Sequence, residues 1–316
     1  MRGKGSRGFF FHCNGSGFPK EGTEDELEHS KRDHTKYIIL PSVIIVAVIT
    51  QIPFLITIYY SFLKWNINRP DQGIHFAAFS NYAKIFSSQD FYTVLLNTFI
   101  IIVVSLVVCT VLSILLGLLF NRKFAGVNVC RTLIVLPFFV MESVIGIVWK
   151  TLILSPSFGL NYYISQFFGR PAVDFFGQDA LLTILILIIW QWTPFFFLII
   201  MAGLQNMPDD VLESARIDGA SGFTMLLKIQ IPLIQDHIKV AMILGLINIL
   251  KVFGLVYVTT SGGPGISSSN LPYYVYKCLF YDWDVGKSAA VAVITVAVTL
   301  LLTQTFFKYL YRKKEA

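Results

Sequence analysis

Six apolar runs of 20 residues or more dominate this sequence and restrict its fold more than any other feature. They cover approximately 37–63, 95–120, 132–154, 181–203, 238–260 and 288–307. A bilayer core of roughly 30 Å takes about 20 helical residues, so each run is long enough to cross it. Lipid also tolerates closed barrels, but barrel strands alternate apolar and polar residues, and these runs do not. With 55% hydrophobic and 14% charged residues in 316, a soluble fold could not bury its own apolar surface. The expected fold class is an all-α polytopic membrane protein of about six transmembrane helices.

The net charge of +6 follows the ends of the runs rather than one amphipathic face, which makes it a signal of topology and not of nucleic acid. Sixteen of the 25 Lys and Arg residues fall on the side of the N-terminus, among them Arg122, Lys123, Arg131, Arg216, Lys228 and the group after 307. Six fall on the other side, and Lys150, Lys239 and Lys251 lie inside runs. That excess places both termini in the cytoplasm. The four cysteines, Cys13, Cys109, Cys130 and Cys278, are then spread over cytoplasm, membrane and exterior, so no disulfide framework follows. Residues 1–36 are polar and lack an apolar targeting core. They read as a flexible cytoplasmic leader or as a translation start placed too far upstream. Residues 308–316 form a short cytoplasmic tail.

The internal segment 204–237 departs from the rest. Pro208 suits a first helical position, Asp209 and Asp210 suit the positive end of a helix, and Glu213, Arg216 and Ile217 continue at helical spacing. Asp218 and Gly219 break that helix. Ser221 can cap a second one running to Lys228, which Pro232 stops. Small residues at the corner, Ser214, Ala215, Gly219 and Ala220, allow another backbone to come close. Two readings stand on these residues alone: an ordinary surface hairpin, or a helix docking in a partner's groove.

The stretch Glu213-Ser214-Ala215-Arg216-Ile217-Asp218-Gly219-Ala220, followed by Ile229 and Pro232, resembles the EAA loop of binding-protein-dependent ABC importer permeases of the maltose/lactose type. Ser214 stands for the second-position Ala and Ile231 for a Leu. Similar pieces extend from about Tyr37 onward: Pro53 to Trp65, Asn81-Tyr82, Asn97-Thr98, Tyr257 with Gly262-Gly263-Pro264, and Asp284, Gly286 and Ala289-Ala290. Gly254 departs from the pattern, which usually carries an acidic residue there. The first run is more similar to the maltose F-type subunit than to the G-type.

This resemblance implies a type I importer (MetI-like) permease fold with both termini inside, in a bacterial cytoplasmic (inner) membrane. It implies a subunit that moves a disaccharide, oligosaccharide or polyol by alternating access. Glu213, Ser214, Ala215, Asp218, Gly219, Ala220, Ile229 and Pro232 become the expected contacts to an ATPase. The implied partners are a second homologous permease, a cytoplasmic ATPase dimer that binds the ATP and Mg, and an extracytoplasmic solute-binding protein. No cofactor is expected in this chain. Its one Gly-Lys-Ser, Gly286 to Ser288, has Tyr281 where a phosphate-cradling loop needs its first Gly. Signatures of metalloproteases, paired-cysteine metal sites and serine hydrolases are missing too, which leaves an embedded enzyme with little support.

A polar group facing lipid at the bilayer centre costs on the order of 2.5–3.5 kcal/mol, so such groups line cavities or find partners. Glu142, Gln191, Asn248 and Lys251 are therefore pocket candidates, with Trp190, Trp192, Phe253 and Tyr257 at similar depth able to offer aromatic faces to a sugar. Glu142 and Lys251 fit a structural ion pair as well, and each aromatic fits helix packing or an interface belt. Lys150 reads as snorkelling, and Pro137 and Pro194 as kinks. The alternative function is an ion-coupled secondary transporter using Glu142 and Lys251, although the six runs show no internal repeat.

Overall fold

A computed structural model of the protein describes residues 22–122 and 124–311. Expectations that rest on residues 1–21, Lys123 and 312–316 lie outside the described residues. The chain divides into two units, one ending at Leu55 and the other beginning at Ile56.

Helix α1 (Gly22–Ser61) starts inside the stretch assigned above to a flexible leader, so residues 22–36 are helical. Glu, Leu, Lys and Arg are good helix formers, and nothing between Gly22 and Pro41 breaks the run.

From Ile56 the chain passes through a two-stranded hairpin, β1 (Leu63–Lys64) and β2 (His75–Phe76), paired antiparallel with Leu63 opposite Phe76. Helices α2 (Ser80–Phe86) and α3 (Gln89–Phe120) follow. Then come α4 (Val127–Val135), α5 (Glu142–Ile147), α6 (Leu160–Phe167) and α7 (Ala180–Gln205). The next segment holds α8 (Asp209–Ile217), α9 (Gly222–Met225), α10 (Ile231–Leu233) and α11 (Gln235–Ile249). Helices α12 (Gly254–Thr259), α13 (Leu271–Phe280) and α14 (Val285–Tyr311) complete the unit.

Among the described residues four helices are long and apolar enough to cross a membrane: Leu40–Ser61, Gln89–Phe120, Ala180–Gln205 and Val285–Leu310. The other two expected spans are bent. Residues 127–139 and 142–153 meet at 97°, and 222–233 meets 235–249 at 67°. The kink expected at Pro137 is a full break in 132–154, and the continuous helix expected over 238–260 is corrected. In the first, Pro137 opens a 3-10 turn (Leu136–Phe139), Val140 is extended, and a new helix begins at Glu142. In the second, α11 ends at Ile249 and helix resumes only at Gly254.

Neither break is left bare. The Gln191 side chain donates to Val140 O at 3.1 Å, and Asn270 donates to Val252 O at 2.6 Å. Backbone exposed by a broken helix needs such partners where water is excluded. Pro194 produces no break, because α7 runs through it. Hydroxyls serve the carbonyls nearby: Thr193 donates to Ile189 O at 2.6 Å and Ser113 to Thr193 O at 2.9 Å.

The core is laid along α3, α7 and α11. Ile101, Cys109, Ile184, Ile188, Phe196, Leu246 and Ile249 are buried together at its centre. Gly245 lets α11 approach α7 this closely, since a Cβ there would collide with the Phe196 ring. Ile200, Leu204 and Ile234 close the inner end against Ile114 and Leu118. At the outer end Phe91, Val94, Leu271, Tyr274, Ala290 and Val291 form a second cluster. The β-hairpin is tied down there by Asn81, whose amide donates to Ser61 O and Leu63 O, both at 2.8 Å.

Candidate coupling hairpin and solute path

Helix α8 begins one residue later than expected, with Pro208 in the extended cap position and Asp209 and Asp210 in the first turn. Its end is a Schellman motif. Gly219 sits at φ +80, its N–H donates to Arg216 O at 3.1 Å, and the Ala220 N–H donates to Ala215 O at 3.0 Å. Apart from its two chain neighbours, no described residue lies within 4 Å of where a Cβ on Gly219 would sit, so this glycine is required by its backbone sign rather than by crowding. Ser221 then caps α9, its hydroxyl accepting the Thr224 N–H at 3.3 Å.

Pro232 does not stop the second helix. The chain widens into a π-helical turn over Leu226–Gln230, continues through α10 with Pro232 in its first turn, and bends only at Ile234 before α11. A proline is tolerated where a new turn starts, because its missing N–H has no helical partner to lose. Glu213, Ser214, Asp218, Gly219 and Pro232 are exposed, Ala220 and Ile229 are half-buried, and Ala215 is buried. Two residues here were not among the expected contacts. Ile217 is 80% exposed and Phe223 72%, large apolar side chains on either side of the corner.

The path candidates do not form one pocket. Gln191 is buried and spends its amide on Val140 O. Asn248 donates back to Leu244 O at 2.8 Å, one turn earlier. Trp190 packs edge-on against Trp149 and lines an apolar cleft of 530 Å³ with Leu112, Pro137 and Pro194. Trp192 packs against Phe138 and Phe195, and its indole N–H is buried without a partner. Lys251 is exposed in the break, and no ion pair joins it to Glu142.

Three candidates do come together on α12 and α5. The Glu142 carboxylate faces the backbone N–H groups of Phe253, Gly254 and Leu255, the open end of α12. A Cβ on Gly254 would stand 2.8 Å from Ser143 Oγ and 3.5 Å from Glu142 Oε2, so this glycine admits the close approach. The rings of Phe253 and Tyr257, one turn apart on the same helix, stack at 5.5 Å and 16°. Lys150, read above as snorkelling, donates to Val258 O at 3.3 Å.

The stack continues beyond the candidates. Tyr276 on α13 lies 5.2 Å from Tyr257 and 5.4 Å from Phe253, with Tyr281 and Phe280 further out. Burial pushes the neighbouring Tyr273 phenol up to about 12, with Tyr281 adding to the shift. The segment between α12 and α13 is pinned from α3. Asn97 donates to Ser267 O at 2.9 Å and Ser269 O at 3.1 Å, and Thr98 Oγ1 accepts the Leu271 N–H at 2.9 Å.

Residues 109–315 match the family described as binding-protein-dependent transport system inner membrane component. The chain belongs to this family. This permease is 30% identical over 273 residues to the trehalose/maltose transport system permease protein MalF of Thermococcus litoralis, covering 85% of this chain and 91% of that protein. It is 28% identical to the sn-glycerol-3-phosphate transport system permease protein UgpA of Agrobacterium fabrum over 76% of this chain and 82% of the relative. A bacterial alginate ABC transporter, solved with a periplasmic protein bound to alginate pentasaccharide, shares the fold at TM-score 0.74 and 23% identity, over 92% of this chain and 98% of that one. The permease has the MetI-like fold and is an integral inner membrane component without catalytic activity. ATP hydrolysis belongs to a separate chain. Membership also implies a partner permease, an ATPase and a binding protein.

Proposed function

We propose that this permease carries a sugar or polyol across the inner membrane by alternating access. It pairs with a second homologous permease, takes solute from an extracytoplasmic binding protein, and is driven by a cytoplasmic ATPase dimer that binds ATP and Mg. The observation that carries this reading is the hairpin of α8 and α9. Its exposed corner, with Glu213, Gly219, Ile217 and Phe223 facing outward, leads through one bent helical path into α11 and so to the break at 250–253. Force applied at the corner has a direct structural route to the solute path.

Stacked aromatic faces beside hydroxyl groups suit a sugar, whose C–H face packs on rings while its hydroxyls take hydrogen bonds. Phe253, Tyr257 and Tyr276 offer that surface. The names of the maltose and glycerol-phosphate relatives agree with a polyhydroxylated solute. An ion-coupled carrier would instead need Glu142 free to exchange a cation, and here its carboxylate is turned to backbone N–H groups. The test is ATPase activity of the reconstituted complex with its binding protein across a panel of sugars and polyols. Stimulation by one of them, lost when the ATPase subunit is omitted, supports the proposal. Solute uptake that persists without any ATPase would overturn it.

A further inference from the structure

Glu142, Gly146 and Lys150 are spaced four residues apart along α5 and the π-helical turn (Val148–Ile153) that continues it. Each meets a different level of α12. Glu142 faces the N–H groups of residues 253–255. Gly146 lies against Val258, Thr259 and Leu255, so tightly that a Cβ there would collide with Val258. Lys150 donates to Val258 O in the last turn. That carbonyl is free to accept because the Gly262 N–H, which would continue the helix, donates to Thr260 Oγ1 at 3.2 Å instead. The two segments run side by side in the same direction, with a carboxylate at the end of α12 where N–H groups are exposed and an ammonium where carbonyls are exposed. Both charges match the helix dipole.

We infer that Glu142 and Lys150 are a two-ended clamp on α12, positioning residues that hold the Phe253 and Tyr257 rings in register for the solute. Helix α12 has only six residues and a break on its N-terminal side. A helix this short is marginal by itself, so its orientation must come from what grips it. The two charges do not serve each other. Lys150 donates to one end of a third element and the Glu142 carboxylate lies against the other, and exchanging them would set both against the dipole. The role for the rings rests on the sugar reading above, whereas the clamp itself does not.

The experiment uses the full reconstituted transporter with spin labels on α5 and α12. Glu142→Ala and Lys150→Met are expected to broaden the distance between the labels. Each should raise the sugar concentration for half-maximal ATPase stimulation about two- to fivefold, the size of one charge at a helix end, with the maximal rate little changed. Lys150→Arg, which keeps both charge and donor, should recover most of the effect, and Glu142→Gln, which keeps an acceptor without the charge, only part of it. The double exchange Glu142→Lys with Lys150→Glu should be worse than either single loss. A double exchange that restores the distance would show a simple ion pair and overturn the clamp, as would unchanged distances in both single variants. If no sugar or polyol stimulates even the native protein, the solute reading fails and the label distances still decide the clamp.

Discussion

Gly219 allows backbone strain and partner contact to be separated in one series. Its φ of +80 means that any residue with a Cβ pays for the left-handed conformation, about 1–2 kcal/mol for most side chains and less for Asn. Apart from its two chain neighbours no described residue lies within 4 Å of that Cβ, so Ala meets no crowding there and the positive φ is the cost it shares with Trp. In chains of 150–250 residues 1 kcal/mol moves the melting temperature by about 2–4 °C, and Gly219→Ala and Gly219→Trp should both melt a few degrees below the native permease. Gly219→Asn should stay nearer to it. The variants should diverge only in the assembled transporter. If a partner occupies the empty space beside the corner, binding-protein-stimulated ATP hydrolysis survives in Ala and Asn and falls steeply in Trp. Equal hydrolysis in the Ala and Trp variants would refute the argument, because it would mean that nothing approaches this face.

Asn270→Ala removes both the bond to Val252 O and the cap on Tyr273 N, and should cost about 2 kcal/mol or more in thermal denaturation. Gln191→Leu fills the same volume but leaves the Val140 carbonyl at the helix break without its donor, and it should destabilise by about 1–3 kcal/mol while Gln191→Glu does no better. Gly245→Val drives a branched side chain into Phe196 and should reduce folded yield, with about 1–3 kcal/mol lost by overpacking. Maleimide labelling should modify Cys130, which is half-buried, before Cys278, which is fully buried with its thiol pushed up to about 11.

Hydropathy made the membrane architecture legible, and four of the six runs are unbroken helices long and apolar enough to cross a membrane. Of the two breaks only the kink at Pro137 was legible, because residues 136–141 and 250–253 are otherwise as apolar as their surroundings apart from Lys251. What permits them is a side-chain amide arriving from elsewhere, Gln191 for Val140 and Asn270 for Val252, and no local window contains both partners. The candidate coupling hairpin could be read closely because its signals are local: acidic residues at a helix start, glycine at its end, serine at the next cap. Only the stopping power of Pro232 was overstated, since a π-helical turn ahead of it absorbs the proline. The path residues were chosen as costly polar groups in lipid, which cannot tell a group that meets solute from one that repairs the backbone. Lys150 was dismissed for the same reason, as its partner carbonyl lies 108 residues away.

The elbow at Ile234 gives the molecule a crank. Ile234 is 1% exposed and wedged against Ile200 and Leu204, which makes it a fulcrum rather than a loose joint. Beyond it the 15 residues of α11 extend about 22 Å toward the break. With the elbow pinned and its angle fixed at 67°, a push across the short cytoplasmic arm emerges as a swing of the long one. Such a movement needs no slack in the buried helices, and its largest sweep falls at residues 250–253, where the i→i−4 ladder gives way to the i→i−3 bonds of Lys251 and Val252.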